Sequence, residues 1–60
     1  MTIDELKKLS ASKVRQIARS LNLIIDLPGT TKAEIIGYII DRLGSPEENR
    51  VGWKLLDQYE

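Results

Sequence analysis

Apolar side chains recur at helical spacing in two stretches of this chain, and a hydroxyl residue precedes each stretch. The spacing i, i+3, i+4, i+7 places side chains on one face of an α-helix. The first stripe consists of Val14, Ile17, Ala18 and Leu21, and the wider second stripe of Ile35, Ile36, Ile39, Ile40 and Leu43. Because each stripe must be buried against another element, the sequence predicts a small all-α domain of three to four helices.

Two Thr-x-x-Glu pairs mark helix starts. Thr2 with Glu5, and Thr31 with Glu34, have the spacing of a capping box, in which the two residues satisfy backbone N–H groups in the first turn. The first pair predicts a short helix over residues 3–9. The second pair predicts a long Ile-rich helix that starts at Thr31 and continues to Leu43.

The middle of the chain predicts a helix, an extended segment and a turn. Ser10 or Ser12 can cap the second helix, and Asn22 can end it in the left-handed conformation. The β-branched run over residues 23–27 favours extended backbone. Leu27, Pro28, Gly29 and Thr30 then predict a type II turn, since Pro presets φ and Gly accepts a positive φ. We therefore expect a helix-extended loop-helix core.

Residues 45–60 predict a fourth helix or a tail, separate from a domain over residues 1–44. Gly44 fits a helix end, and Ser45 followed by Pro46 fits an N-cap and a first helical position. Val51, Leu55 and Tyr59 recur at i, i+4, i+8 and predict the apolar side of this helix. The helix either packs on the other three or leads into a longer protein.

Composition excludes several classes of function. The chain has 60 residues, no Cys and no His, so it lacks the commonest general base, the thiol nucleophile and the usual zinc ligands. We expect no enzymatic activity, no cofactor and no metal. No apolar run reaches the roughly 20 residues that cross a bilayer, and no signal-peptide pattern opens the sequence. We expect an intracellular protein, cytoplasmic or in the nucleoid or nucleus, with no membrane partner.

Charge is balanced overall but unevenly distributed. Nine basic and nine acidic side chains cancel, yet residues 1–44 hold seven basic and five acidic ones, and residues 45–60 hold two and four. The span from Lys7 to Arg19 has five basic residues and no acidic one. This span is either a solvated helical face or a patch that contacts phosphates.

Three segments carry a resemblance to known families: MTIDELKKL, SASKVRQIARSLNL and GTTKAEIIGYIIDRL. Their order resembles the helix-extended loop-helix group that includes SAP domains, LEM domains and the N-terminal domain of the terminator Rho. The positions that match the SAP pattern are Ser10, Val14, Ile17, Leu21, Leu23, Gly29, Lys32, Ile35, Ile36, Arg42 and Leu43. The segments VRQIAR and Gly29-Thr30 also resemble peripheral-subunit-binding domains of acyltransferases.

The resemblance to SAP and Rho-type domains implies nucleic-acid binding, most simply to duplex DNA. Helix N-termini with small hydroxyl residues attract phosphate, and nearby cations add to the attraction. The predicted contact residues are Ser10, Ser12, Lys13, Arg15, Arg19, Gly29, Thr30, Thr31 and Lys32. Such contacts position a duplex but read little sequence, so we expect low sequence specificity.

The resemblance to LEM and subunit-binding domains implies protein binding instead. The candidate surfaces are the basic face of the second helix or an apolar patch around Trp53, Leu56 and Tyr59. A net charge of zero favours this alternative, since a dedicated duplex binder usually carries excess positive charge. Homo-oligomerisation through residues 46–60 is a third hypothesis.

Overall fold

Four α-helices and one 3₁₀ helix make up the part of the chain that the computed structural model describes, residues 1–25 and 29–60. They are α1 (Ile3–Lys8), α2 (Ala11–Ser20), α3 (Lys32–Leu43), α4 (Arg50–Leu55) and a 3₁₀ helix (Leu56–Tyr59). The described residues contain no β-strand. The predicted all-α class is confirmed.

Hydroxyl side chains cap the first three helices. Thr2 Oγ1 accepts a hydrogen bond from the Glu5 N–H at 3.1 Å, and Thr31 Oγ1 accepts one from the Glu34 N–H at 3.2 Å. Ser10 caps α2, because its Oγ accepts from the Lys13 N–H at 3.3 Å. Of the two serines considered for this position, Ser10 is therefore the cap. Each cap satisfies one of the backbone donors that a helix start leaves unpaired.

Asn22 ends α2 in the left-handed conformation that the sequence predicts. Its φ is +61°, and its N–H donates to the Arg19 carbonyl at 3.0 Å. The Leu23 N–H donates to the Ala18 carbonyl at 3.0 Å, which completes a Schellman motif. The chain thus turns sharply and continues without helix through residues 23–25.

The two isoleucines at the start of the connector between α2 and α3 lie on opposite sides of the backbone. Ile24 is exposed, whereas Ile25 is buried in the core. Gly29 has a φ of +85°, as its predicted place in a type II turn requires. The other part of that predicted turn, Leu27 and Pro28, lies outside the described residues, as does Asp26 of the predicted extended run.

The fourth helix starts four residues later than the sequence predicts. Ser45 does accept a hydrogen bond from the Glu48 N–H, but the turn at residues 46–48 ends there. The helix begins at Arg50 behind a second cap, Asn49, whose Oδ1 accepts from the Gly52 N–H at 3.0 Å. A Cβ on Gly52 would lie 2.6 Å from Asn49 Nδ2. Glycine at this position therefore gives the capping amide its room.

The buried side of the fourth helix is also not the predicted one. Val51 and Leu55 are 74% and 64% exposed, whereas Trp53 and Leu56 are buried and Tyr59 packs partly buried against the core. The predicted apolar patch around Trp53, Leu56 and Tyr59 is therefore part of the core and not an exposed surface. Trp53 can be buried without an unpaired polar group, because its indole N–H donates to the Gly44 carbonyl at 3.0 Å, where α3 ends.

The core lies between α2 and α3, which form the central packed pair. α1 contacts α3, and the 3₁₀ helix contacts α2. The buried side chains are all apolar among the described residues: Leu6, Val14, Ile17, Ala18, Ile25, Ile35, Ile36, Ile39, Trp53 and Leu56. Both predicted stripes supply members of this cluster. Residues 45–60 contribute Trp53 and Leu56 to the same core as the first three helices.

Of the helices in residues 1–25 and 29–60, none is long and apolar enough to cross a membrane.

Candidate nucleic-acid interface

The start of α3 lies against the end of α1. Lys32 Nζ, on the first residue of α3, donates a hydrogen bond of 2.7 Å to the carbonyl of Lys7. Lys7 and Lys8 form the last turn of α1, and Ser10 caps α2 two residues later. This one hydrogen bond therefore places the start of α3 beside the junction between α1 and α2.

A second hydrogen bond joins α2 to the loop before α3. Arg15 Nη2 donates to the Thr30 carbonyl at 3.4 Å, and Arg15 is partly buried there. Gly29 precedes Thr30, and Thr31 caps α3 directly after it. The two hydrogen bonds bring together one surface, here called the cationic edge, made of Lys7, Lys8, Ser10, Lys13, Arg15 and residues 29–32.

Three lysines of the cationic edge are exposed and form no ion pair with the described part of the chain. They are Lys7, Lys8 and Lys13. Within residues 1–25 and 29–60, the Met1 amine pairs with Asp57, and none of the three lysines lies within ion-pair distance of a carboxylate. Their positive potential therefore extends into solvent, where it attracts anions.

The two helix starts at this edge differ in their charge. The first turn of α2 holds no acidic residue, and the Ser10 cap takes only the Lys13 N–H. The N–H groups of Ala11 and Ser12 are left for an outside acceptor, as at any helix N-terminus. The first turn of α3 contains exposed Glu34, whose carboxylate opposes a phosphate. The start of α2 is therefore the better place for an anion.

Ser12 and Arg19, two of the predicted contact residues, take different places on α2. Ser12 is exposed in the first turn beside Lys13, but Ser10 and not Ser12 is the cap. Arg19 is exposed in the last turn, about 9 Å along the helix axis from Lys13 and away from the edge.

Sequence reasoning left Lys7 and Lys8 out of the predicted contact residues. The structure places both at the edge, because the Lys32 hydrogen bond reaches the Lys7 carbonyl. Two signals were present: both lysines belong to the basic span from Lys7 to Arg19, and they come directly before Leu9 and the Ser10 cap, where α1 ends and α2 begins.

The acidic end of the chain is held at the far end of α3 and beside the N-terminal end of α1. Trp53 donates to Gly44, at the end of α3 about 18 Å along the axis from its start. The Met1 amine, two residues before α1, donates to the Trp53 carbonyl at 3.1 Å and to an Asp57 carboxylate oxygen. The 3₁₀ helix of this segment also contacts α2.

Hydrogen bonds shift the pKa values of groups at this acidic end. The Asp57 carboxylate raises the pKa of the Met1 amine, since the bond favours the charged amine. A hydrogen bond between the carboxyl groups of Glu5 and Glu60 lowers the pKa of Glu5 and raises the pKa of Glu60.

No group of three or more carboxylates in the described ranges is placed to hold a metal ion.

Comparison of the chain with models of protein families, with curated protein sequences and with solved structures finds no match. The resemblance to SAP, LEM, Rho-type and subunit-binding domains therefore stays a prediction from the sequence.

Proposed function

We propose that this protein binds the phosphate backbone of a nucleic acid, duplex DNA in the first instance, with little sequence preference. The observation that supports the proposal most directly is the cationic edge. There Lys7, Lys8 and Lys13 are exposed, and no carboxylate in the described residues pairs with them. A duplex carries closely spaced phosphates that such lysines can contact together.

The binding mechanism is electrostatic. Lysines that approach the duplex displace the counterions condensed on its phosphates. Each phosphate that is neutralised in this way contributes about −0.9 to the slope of log K against log salt concentration. Three exposed lysines therefore predict a slope of about −3. The N–H groups in the first turn of α2 add a direct phosphate contact at the same place.

Sequence readout is weak in this arrangement. The first turn of α2 presents Ala11, Ser12 and Lys13 and offers no Arg, Asn or Gln, the side chains that most often recognise base edges in pairs of hydrogen bonds. Phosphate contacts by themselves fix position without reading bases. We therefore expect duplexes of different sequence to bind with similar affinity.

Fluorescence anisotropy with a labelled duplex tests the proposal. We expect binding at about 50 mM salt and an affinity about 40-fold lower at about 200 mM. Lys13→Glu should weaken binding about tenfold and make the slope shallower by about 1. Lys54→Glu is the matched control, because Lys54 is equally exposed but lies on α4.

Three outcomes would contradict the proposal: no binding at low salt, an affinity that ignores salt, or equal losses in the two charge-reversed variants. Arg15 and Lys32 are poorer positions for this test. Both donate to backbone carbonyls that connect separate segments, so replacing them also removes contacts within the fold.

Protein binding is the second candidate, because a net charge of zero is low for a dedicated duplex binder. It predicts that duplex leaves the anisotropy signal unchanged even at low salt.

A further inference from the structure

Two large apolar side chains are exposed side by side, on a surface separate from the cationic edge. Ile24 in the connector is 84% exposed, and Tyr38 on α3 is 46% exposed. Between them runs an open groove of about 280 Å³, here called the α3 groove, lined by Leu23, Ile24, Tyr38, Asp41 and Arg42. A groove with apolar walls and a few polar groups is the usual form of a binding surface.

Gly37 on the outer face of α3 is not required by the fold. A Cβ added there would meet no atom within 4 Å, and its φ is not positive. Glycine in a helix interior is less favourable than alanine by up to about 1 kcal/mol. Because nothing inside the described structure needs the missing side chain, the position suits close approach of a second backbone from outside.

The carboxylates on the outer face of α3 favour a basic partner. Glu34 and Asp41 are both exposed and lie one turn or less from Tyr38 on either side, and Arg42 is the one basic residue among those that line the groove. No ion pair within residues 1–25 and 29–60 neutralises either acid. The groove lining itself holds one acid, Asp41, and one base, and Glu34 on the same face of α3 adds a second negative charge beside it.

We propose that the α3 groove binds an amphipathic helix of a protein partner, with one apolar side chain seated between Ile24 and Tyr38 and a Lys or Arg facing Asp41 or Glu34. The absence of a side chain at Gly37 lets the partner helix lie close along α3. This is the helix-in-groove mode of recognition, in which apolar anchors supply affinity and flanking charges supply orientation.

The α3 groove and the cationic edge share no lining residue. The cationic edge is built from the end of α1, the start of α2 and residues 29–32, whereas the groove is lined by residues 23–24 and the second half of α3. Glu34, in the first turn of α3, lies near both surfaces.

The test is an NMR titration of the intact chain with three model helices as probes. The first is an Ala-rich helix with several Lys and one central Leu, the second replaces Lys by Glu, and the third replaces the Leu by Ala. We expect the Lys–Leu helix to shift the amide signals of Ile24, Tyr38 and Asp41. The Glu–Leu and Lys–Ala helices should each bind about tenfold more weakly.

Matched variants locate the site. Ile24→Thr should weaken binding of the Lys–Leu helix about tenfold, since the anchor loses one apolar wall. Val51→Thr is the control, because Val51 is similarly exposed but lies on α4. Asp41→Asn should reduce the preference for Lys over Glu, and Asp4→Asn, at an exposed site on α1, should not.

Several results would overturn the proposal. They are no shifts at any probe concentration, equal binding of the Lys and Glu helices, or equal losses in Ile24→Thr and Val51→Thr. Sedimentation that shows self-association abolished by Ile24→Thr would assign the groove to a second copy of this chain. Amide shifts at Ile24 and Tyr38 on adding duplex would assign it to nucleic acid.

Discussion

The two glycines inside helices, Gly37 and Gly52, have opposite surroundings. The site of a Cβ on Gly37 is open, whereas one on Gly52 would lie 2.6 Å from the Asn49 amide nitrogen and 3.0 Å from its Cγ. The same substitution therefore tests two different physical effects. At Gly37 only helix propensity changes, while at Gly52 the N-cap of α4 must move as well.

We expect Gly37→Ala to raise the free energy of unfolding by up to about 1 kcal/mol, from helix propensity alone. Gly52→Ala should displace the Asn49 cap, which is worth about 1 kcal/mol, and so offset the same gain in propensity. Urea denaturation should therefore rank Gly37→Ala above Gly52→Ala by about 1 kcal/mol. Equal stabilities would show that Asn49 caps α4 without the space that Gly52 gives it.

At the scale of elements, α2 depends on how it ends as much as on its apolar stripe. Asn22 holds a φ of +61°, and the two Schellman hydrogen bonds of Asn22 and Leu23 follow from that conformation. The direction of the connector, and with it the burial of Ile25, follows from this one backbone angle. The sequence predicts the motif because Asn tolerates the left-handed region better than most residues.

Replacing Asn22 separates the backbone effect from the side chain. Asn22→Ala should lower the free energy of unfolding by about 1 kcal/mol, because a Cβ residue without a polar side chain disfavours positive φ. Asn22→Gly should preserve stability or raise it. Gln16→Ala, at an exposed position inside α2, is the control and should be nearly neutral. Thermal denaturation followed by circular dichroism measures all three, and a costly Asn22→Gly would mean that the side chain, not the angle, matters.

Local sequence signals predict the starts of the first three helices far better than the start of α4. The caps Thr2 and Thr31 were identified because their partners lie three residues away. The capping pattern at Ser45 is equally local, but Ser45 caps only the turn at residues 46–48 and not a helix. The helix itself starts at Arg50, behind the Asn49 cap. Trp53 and Leu56 are buried in a core that is built mostly from residues distant in sequence, and a local signal does not contain that information.

The candidate site was predictable only in part, for the same reason. Ser10 and Lys13 at the start of α2 follow from the capping pattern. The hydrogen bonds from Arg15 to Thr30 and from Lys32 to Lys7 span 15 and 25 residues. Contacts at such separations depend on tertiary packing and have no periodic signature in the sequence.

At the scale of the whole molecule, the fold is closed by the Met1 amine, which bonds to Trp53 and Asp57 across more than 50 residues of sequence. The Asp57 carboxylate raises the pKa of this amine above its ordinary value of 8.0. A raised pKa of a basic group means that the folded state holds the proton more tightly than the unfolded state.

The hydrogen bonds of the Met1 amine predict a loss of stability at alkaline pH. The contribution of the Met1 amine is fully present below pH 8.0, its unfolded value, and disappears as pH rises through the higher pKa of the folded state. Urea midpoints of the 60-residue chain should therefore fall above pH 8.0. Asp57→Asn should flatten this fall, and an unchanged pH profile in that variant would assign the effect to other groups.

The adjacent isoleucines of the connector have a consequence for how this backbone tolerates changes in length. Ile24 faces outward and Ile25 inward, so a slip of one residue that moves Ile24 into the inward position gives the core an identical side chain. A slip in the opposite direction would bring Asp26, the next residue in the sequence, to the same position. A change in length is therefore tolerated here in one direction only, and in that direction it alters the exterior while the interior keeps its chemistry.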